Sequence, residues 1–302
     1  KRQLRFTQGF YVGGMEEKDL RITATRHLIL ACVPEDTECL TLEGWKQHSE
    51  LELGELIAAY DMEKKCIRYV PLQDVSRYQH DGPMLSVDRR SAQILMTPDH
   101  RNVVMAPCYV NGKQVMKEII VRGYELTPKM KIRVNAPVDY PEIEGIGEDL
   151  AELIGWVIAE GSYVSGNRAL SIQVHQNAGP KADRLDKLFE VLKIDVTKHE
   201  YNAGQISWYI PASFSKELIR KYCPDKKLTQ FLVSLPKNEA QRLFDGLIDG
   251  DGHRRKDGRL TFTQKDEETV DWFMILAMRL GYRPTKSRRP SGVFDVYLTK
   301  KE

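Results

Sequence analysis

The sequence predicts an α+β fold, in which an all-β region is followed by two copies of an αββαββ unit related by a pseudo-twofold axis. For the second part, two apolar segments keep glycines at helical spacing, and each is followed by segments that alternate apolar and polar residues. For the first part, short apolar runs are separated by turn residues, which is typical of short strands.

Length and composition set the outer limits. The 302 residues suggest about two domains, and 41% hydrophobic residues suffice for packed cores. A net charge of +2 excludes a uniformly basic coat, so any nucleic-acid contact must come from local clusters. Five cysteines without a CxxC pair argue against a disulfide framework or a zinc site. Because no apolar run approaches ~18 residues and no signal peptide is visible, we expect a cytoplasmic protein with no membrane partner.

The stretch that organises the second part is LFDGLIDGDG, residues 243–252. An interior glycine costs a helix about 1 kcal/mol against alanine, yet Gly246 and Gly250 lie four apart, on one helix face. Small residues at this spacing let a second backbone approach closely. The partner is predicted in the same chain, in LIGWVIAEG, residues 153–161, where Gly155 and Ala159 occupy the same places 91 residues earlier.

Packing these two helices together would bring Glu160 and Asp251 side by side at their ends. Two adjacent carboxylates repel each other, so they need a shared proton or a cation between them. A cation there indicates a divalent metal and phosphodiester chemistry. An acid that merely caps a helix end is the simpler alternative.

The two segments resemble the LAGLIDADG motif of homing endonucleases and its degenerate first copy. The resemblance implies cleavage of both strands of a long asymmetric DNA site with Mg²⁺, leaving short 3′ extensions. Glu160 and Asp251 would hold the metal, with Ala159 and Gly250 as the adjoining ligand positions.

This family also carries lysines near its metals. Its Lys-x-hydrophobic-Pro element resembles Lys226-Lys227-Leu228, with Thr229 where proline is usual. That departure leaves the choice between Lys226 and Lys227 open. Lys286 and Lys265 are the candidates for a second lysine.

The strands after each helix are expected to form a saddle-shaped antiparallel sheet with a polar outer face. Duplex DNA has its own pseudo-symmetry, so a monomer with two halves fits two half-sites. The residues predicted to read base edges are Ser171, Gln173, His175, Lys198, His199, Thr261 and Thr263. Lys265 is also predicted to bind DNA. The residues predicted to contact phosphate are Arg254, Arg255, Arg288 and Arg289. An ordinary solvated face is the alternative for the charged runs.

The all-β region carries a second set of spaced residues, Cys32 followed by Asp36-Thr37, Leu40-Thr41, Gly44-Trp45 and finally Thr97-Pro98-Asp99-His100. In this order they resemble the opening and TxxH blocks of inteins, the N-terminal half of a horseshoe-shaped Hint domain. The resemblance implies that the Cys32 thiol attacks the carbonyl of Ala31 to form a thioester. His100 would protonate the departing amide nitrogen, and Thr97 would hold that bond. For a lone cysteine or histidine, a buried structural side chain is the alternative.

The end of the sequence departs from the intein pattern. Inteins finish with a His-Asn pair and a downstream nucleophile, whereas this sequence finishes DVYLTKKE. We therefore expect no complete splicing by this chain unaided. The predicted division is a flanking host (extein) segment at 1–31, a Hint-like region at 32–135 and a LAGLIDADG domain at 136–302, with repeats at about 148–225 and 226–302.

Together these features predict an intein-type homing endonuclease. One alternative is a splicing intein with an inactive nuclease, which the presence of both motif acids argues against. Another is a non-cleaving nucleic-acid-binding or maturase-like module, which has no use for a self-cleaving cysteine block. The residues fix neither the DNA target nor the host protein.

Overall fold

The computed structural model describes residues 5–6, 10–11, 33–34, 37–75, 80–89, 92–133, 135–164, 171–201 and 204–300. The chain divides into two compact units, residues 1–139 and 140–302, where the sequence places the boundary after residue 135. No helix within the described ranges is long and apolar enough to cross a membrane.

The described part of the first unit is built from strands, as the sequence predicts. They are β1 (Arg5–Phe6), β2 (Phe10–Tyr11), β3 (Glu38–Thr41), β4 (Gly44–Gln47), β5 (Leu56–Asp61), β6 (Cys66–Pro71), β7 (Leu85–Arg89), β8 (Ala92–Met96), β9 (Arg101–Val110), β10 (Lys113–Arg122), β11 (Lys131–Ile132) and β12 (Val138–Asp139). Two 3-10 turns, His48–Glu50 and Gly123–Glu125, lie between them. The largest sheet runs β1-β3-β5-β6-β12, with β2 paired to β5 and β4 to β3. β7 pairs with β8, and β9 lies between β10 and β11.

β9 and β10 form a long β-hairpin. β9 and β10 pair along their whole length, from Arg101 with Arg122 to Val110 with Lys113. Asn111 and Gly112 close the hairpin with φ values of 52° and 74°, the left-handed conformations that a two-residue Asn-Gly turn adopts. The Asn-Gly pair therefore sets the turn of this hairpin.

The second unit repeats one series of elements. They are α1 (Glu148–Glu160), β13 (Gly161–Tyr163), β14 (Ile172–Asn177), α2 (Pro180–Val191), β15 (Thr197–Glu200), β16 (Gln205–Ile210), α3 (Ala212–Phe214) with a π-helical turn (Ser215–Ile219), α4 (Gln230–Val233), α5 (Lys237–Asp251), β17 (Gly252–Arg254), β18 (Leu260–Gln264), α6 (Glu267–Arg279), β19 (Tyr282–Arg288) and β20 (Phe294–Lys300). The predicted order of helix, two strands, helix and two strands is confirmed in both copies.

These strands form two four-stranded antiparallel sheets rather than the single sheet that the sequence predicts. Their orders are β13-β14-β16-β15 and β17-β18-β20-β19, so every strand pairs within its own repeat. The sheets stay separate because α1 and α5, and not a pair of strands, join the two repeats.

The junction between the repeats depends on glycine. A Cβ built on Gly155 would lie 2.4 Å from the backbone oxygen of Leu243, and one built on Gly246 would lie 2.4 Å from the backbone oxygen of Glu152. The two contacts are reciprocal, because 91 residues separate each helix position from its counterpart. The close approach of two matched helices is therefore confirmed.

The strands of the two copies are related by 88 residues rather than 91. Ile172 pairs with Ile210 just as Leu260 pairs with Leu298. The shift arises because the connection between β13 and β14 is longer than the one between β17 and β18. This explains why Gln173 and Gln264, which are 91 residues apart, face opposite sides of their sheets.

The inner faces of both sheets supply the core of the second unit. Ile172 and Val174 in the first copy, and Phe262 in the second, have no exposed surface. Phe262 stacks on Phe273 with ring centroids 4.0 Å apart. The predicted alternation of inward apolar and outward polar residues is confirmed in β14 and β18.

Replacing Gly246 by alanine is expected to destabilise the second unit by about 1–3 kcal/mol, because the new methyl group meets backbone and not a movable side chain. Gly82→Ala, in the first unit, is the control and should leave the unfolding of the second unit unchanged, since a Cβ there meets only the ring of His80, at 3.0 Å, which can move. Urea unfolding followed by helical circular dichroism measures the difference, because the α-helices of the described residues lie in the second unit. Equal stability of the two variants would contradict the packing described above.

Candidate functional site

The joined helices end together and deliver one acid each. Glu160 is the last residue of α1 and Asp251 the last of α5. Each is followed by a glycine that starts a strand, and a Cβ on Gly161 or Gly252 would lie 2.4 Å from a carbonyl oxygen of the preceding helical turn. Glycine therefore lets the chain leave the helix immediately after the acid, which fixes both carboxylates at the junction of the repeats.

The two carboxylates interact electrostatically. Burial, followed by the neighbouring charge of Glu160, raises the pKa of Asp251 to about 6, against the opposing effects of Lys226 and Gln264. Gln264 donates a hydrogen bond from Nε2 to Asp251 Oδ2 at 2.9 Å. The site thus holds more negative charge than the protein around it neutralises.

Lys226 is the lysine that the structure brings to these acids. Its Nζ lies 3.4 Å from the backbone oxygen of Ala159. Burial lowers the pKa of Lys226, and the charges of Asp251 and Glu160 oppose that shift. Its backbone adopts φ = 58°, the left-handed region that a lysine rarely occupies.

The other lysines considered from the sequence pair with other acids or are exposed. Lys227 Nζ pairs with Glu268 Oε2 at 2.8 Å and with Asp266 Oδ1 at 3.3 Å. Lys286 Nζ pairs with Asp271 Oδ1 at 2.9 Å and also with Glu267. Lys265 is exposed at the end of β18. Of the two lysines that the sequence left open, Lys226 interacts electrostatically with Glu160 and Asp251, whereas Lys227 pairs with two acids of the second repeat.

The donor set fits a hard divalent cation. Within the described ranges, no group of three or more His, Cys, Asp or Glu side chains could hold a metal ion. Two carboxylates with an excess of negative charge are nevertheless what Mg²⁺ requires, because it keeps several waters and takes one or two protein carboxylates. The backbone oxygens of Ala159 and Gly250 adjoin the carboxylates in the chain and are of the same hard type.

The outer faces of the two sheets carry cross-strand polar pairs at equivalent places. In the first copy, His175 Nδ1 lies 2.7 Å from Ser207 Oγ, and Gln173 Nε2 donates to Tyr209 Oη at 2.8 Å. In the neighbouring strand β15, His199 pairs with the same Ser207. In the second copy, Thr263 takes the place of His175. These positions agree with the outward direction that the sequence predicts for Gln173, His175, His199 and Thr263.

Three further residues of the predicted set have simple placements. Ser171 is half-buried just before β14, and Thr261 is half-buried opposite Tyr297 on the outer face. Arg255 is exposed in the turn between β17 and β18.

Three basic residues that the sequence assigned to DNA contact lie on the helix side of their sheets. Lys198 is opposite buried Trp208 and pairs with Asp186 at 2.8 Å. Arg254 is opposite buried Leu260 and pairs with Asp249 at 3.0 Å. Arg288 is opposite buried Phe294, with its guanidinium 5.4 Å from the ring centre. The outward direction predicted for Lys198 is wrong, because directly paired residues share a face and Trp208 is a core residue. Arg254 and Arg288, predicted to contact phosphate, are likewise paired with core residues.

Arg289 lies on the outer face but does not extend freely. Its Nε and Nη2 donate to Asp295 at 2.6 Å and 2.7 Å, and Thr263 Oγ1 donates to the same carboxylate at 2.9 Å. Asp295 is only 4% exposed. Burial would raise the pKa of Asp295, but the hydrogen bonds from Arg289 and Thr263 outweigh it and hold the pKa below its usual value. The guanidinium is therefore fixed by two hydrogen bonds to one carboxylate.

In the first unit, Thr97 and His100 belong to one turn. The His100 amide donates to the Thr97 carbonyl at 3.1 Å. Thr97 is 4% exposed, and its hydroxyl has no hydrogen-bond partner among the described residues. Cys32, the third member of the predicted set, lies outside the described residues. The four cysteines that the structure describes are free.

Comparison with known proteins gives partial likenesses. No family model matches the chain. It is 26% identical over 166 residues to the DNA polymerase of Thermococcus sp. (strain GE8) and 24% identical over 170 residues to that of Thermococcus kodakarensis, each match covering 53% of this chain and 10% of the relative. It is also 30% identical over 73 residues to the ATP-dependent Clp protease proteolytic subunit of Chlamydomonas moewusii, over 24% of this chain and 7% of the relative. The chain thus spans about a tenth or less of the length of these curated relatives.

Solved structures give likenesses over half of the chain. The structure of I-DmoI in complex with DNA and Ca has a TM-score of 0.40 and 14% identity, over 50% of this chain and 83% of that one. The N-terminal LAGLIDADG domain of DUF199/WhiA has a TM-score of 0.39 and 16% identity, over 51% of this chain and 75% of that one.

Sequence reasoning misses two residues of the site. Gln264 follows Leu260 and Phe262 in the inward phase of β18, so a polar side chain there signals a buried partner, which is Asp251. Asp295 lies in the outward phase between Phe294 and Val296, where its partner Arg289 is not evident from spacing. The alternation in β18 already indicated Gln264. The role of Asp295 becomes evident only once β19 is paired with β20.

The Asp251→Asn variant is expected to be more stable than the parent at pH 7 without divalent metal, by about 1–3 kcal/mol. Its pKa is raised from 3.8 to about 6, so the folded chain binds a proton between those values that the unfolded chain does not. The parent therefore gains stability as the pH falls through about 6, and the advantage of the variant disappears near pH 4. Thermal unfolding across this range measures the difference, and an advantage that does not change with pH would contradict the electrostatic origin.

Proposed function

We propose that this chain is a site-specific endonuclease that cleaves both strands of duplex DNA by metal-dependent hydrolysis, as homing endonucleases do. The observation that carries the proposal is the delivery of Glu160 and Asp251 to one place, at the matched ends of two helices pressed together through glycine. A helix-end acid with a structural role would be expected to have a cap or an ion pair. Asp251 instead has a raised pKa and an adjacent carboxylate.

In this proposal, Glu160 and Asp251 hold Mg²⁺, with the backbone oxygens of Ala159 and Gly250 as further donors. The metal would supply Lewis-acid activation of the phosphodiester and of water. Lys226 is held at the same place and offers positive charge to the phosphate. Gln264 holds the Asp251 carboxylate by one oxygen, which leaves the other oxygen available.

Recognition of DNA is assigned to the outer faces of the two sheets. Side chains whose hydrogen-bonding groups are held in place by cross-strand neighbours suit base edges in the major groove. The equivalent places differ between the copies, since His175 and Ser207 correspond to Thr263 and Asp295. Two unlike halves in one chain fit a monomer on an asymmetric target.

A binding module without cleavage is the other proposal for this unit, and the site favours cleavage over it. Binding requires the outer faces but gives no reason to place two half-buried carboxylates together. Such a pair lowers stability in the absence of a cation, so its presence is better explained by metal-dependent chemistry.

The parent protein with Mg²⁺ is expected to cut the host gene from which the coding segment of this chain has been excised, at one site and in both strands. Asp251→Asn should reduce the cleavage rate by at least about 100-fold while DNA binding is retained. A randomised DNA library, with cleaved ends captured and sequenced, provides a second substrate that does not depend on knowledge of the host.

The matched control for this experiment is Asp245→Asn. Asp245 lies on the same helix and bonds to Arg254 at 3.1 Å, away from the paired carboxylates. It should leave the rate within about twofold of the parent. Tight DNA binding by the parent without any cleavage would overturn the nuclease proposal and favour the binding module.

For the first unit, we propose an intein-type acyl shift at the Ala31–Cys32 bond. The observation that favours it is the buried Thr97 hydroxyl, because a buried polar group without a partner costs stability and is usually retained for a function. The adjoining His100 is oriented further by Asn102, whose Nδ2 donates to the His100 carbonyl at 3.1 Å. In the shift, the Cys32 thiol forms a thioester with Ala31 and the amide nitrogen becomes a free amine.

An added thiol such as dithiothreitol is expected to displace this thioester and release residues 1–31 from the rest of the chain. Cys32→Ala should abolish the release, and Thr97→Ala should slow it by about 10-fold or more. Cys39→Ala is the control, since burial raises the pKa of the Cys39 thiol to about 12. Intact-mass spectrometry identifies the fragments, and release that persists in Cys32→Ala would contradict the assignment.

A further inference from the structure

Tyr163 lies three residues after Glu160 and connects the first acid to a different part of the chain. It is the last residue of β13 and pairs with buried Ile172, which places it on the helix side of the sheet. Its hydroxyl donates to the backbone oxygen of Cys223 and lies 3.5 Å from the Cys223 thiol. A residue of the first repeat is thereby bonded to the segment that leads to the second.

The carbonyl that Tyr163 contacts also shapes the turn that holds Lys226. The Lys226 amide donates to the same Cys223 oxygen at 3.1 Å. Burial raises the pKa of Tyr163, whereas Arg220 and the backbone of Lys226 lower it. The Tyr163 hydroxyl and the Lys226 amide therefore share one acceptor, the Cys223 oxygen that closes the four-residue turn from Cys223 to Lys226.

The conformation of Lys226 makes this support necessary. A left-handed backbone is unfavourable for a lysine because its Cβ crowds the following carbonyl. Such a conformation persists when the surroundings hold it, and it is often found at functional sites. At Lys226 it directs the amine to within 3.4 Å of the Ala159 carbonyl, beside Glu160 and Asp251.

Arg220 extends the connection to the strand that carries predicted DNA contacts. Its guanidinium carbon lies 4.2 Å from the centre of the Tyr163 ring. Its Nη2 donates to the backbone oxygen of Ser171 at 3.4 Å. Ser171 immediately precedes β14, whose outer face carries Gln173 and His175.

The second repeat uses the equivalent position differently. Arg254 pairs with Leu260 as Tyr163 pairs with Ile172. Instead of contacting a turn before a lysine, Arg254 bonds to Asp245 and Asp249 on its own helix. Among the described residues, the connection to Lys226 is thus a feature of the first repeat and not a general requirement of the fold.

We propose that Tyr163 is a positioning residue that holds Lys226 at the paired acids, and that Arg220 couples this hold to the start of β14. The inference rests on the proposed nuclease function for its consequence, since a misplaced lysine would slow cleavage. The positioning of Lys226 by Tyr163 is a property of the folded chain, so it can be measured without DNA.

The first test is chemical labelling of lysines in the intact protein with N-hydroxysuccinimidyl acetate, read by peptide mass spectrometry. Tyr163→Phe removes one oxygen and should raise the labelling rate of Lys226 several-fold. Exposed Lys216 and Lys221 in the same segment should be unchanged. Tyr222→Phe is the matched control, because the Tyr222 ring stacks on Phe231 and a phenylalanine keeps that stacking.

The second test uses the DNA target found above, under single-turnover conditions with excess protein. Tyr163→Phe should lower the cleavage rate about 10- to 100-fold, the scale of a reacting group displaced by about 1 Å. Affinity for the target should stay within about twofold, because no group assigned to DNA contact is removed. Tyr222→Phe should match the parent in both respects.

The outcomes separate this inference from the function on which it rests. A parent that cuts, with Tyr163→Phe equal to it in rate and in Lys226 labelling, overturns the inference and leaves the nuclease standing. A parent that does not cut overturns the nuclease, while faster labelling of Lys226 still supports the hold. If Tyr163→Phe does not fold, Arg220→Met removes the guanidinium from the ring, and the same selective rise in Lys226 labelling is expected.

Discussion

The backbones of α1 and α5 approach so closely at Gly155 and Gly246 that each occupies the space where the other would place a side chain. This contact fixes the distance and the register between the two repeats at once. Everything at the far end of the helices follows from it, because a helix is rigid and carries its last residue to a defined place. The two acids are neighbours because the glycines allow no other spacing.

The two neighbouring carboxylates lower the stability of the fold at the place where a cation would bind. Burial and the adjacent charge of Glu160 both raise the pKa of Asp251, so the ionised form of this carboxyl is disfavoured in the folded protein. Lys226 and Gln264 relieve that repulsion in part. Binding of a cation would relieve it further, so affinity for metal and instability of the empty site have one physical origin.

The sequence predicts the parts of this structure that depend on repetition. Two matched helices, the alternation in β14 and β18 and the position of both acids follow from spacing alone. The facing of Lys198, Arg254 and Arg288 does not, because it depends on which residue lies opposite in the neighbouring strand. The longer connection after Tyr163 changes the relation between the copies from 91 to 88 residues, and no local pattern marks that change. The sequence does not distinguish Lys226 from Lys227. The left-handed backbone of Lys226 is a conformation that a sequence indicates only where the residue is glycine.

The helix junction also constrains how the two repeats can diverge. At Gly250, the crowding atom is the Cβ of Ala159, so a larger residue in one repeat can be accommodated by a smaller one in the other. At Gly155 and Gly246, the crowding atoms belong to the backbone, and no exchange of side chains in the partner helix makes room. Compensating substitutions are therefore available at the acid-bearing end of the junction and absent at its centre. At that end the two repeats can change in matched pairs, while their central glycines must be kept or lost together with the interface.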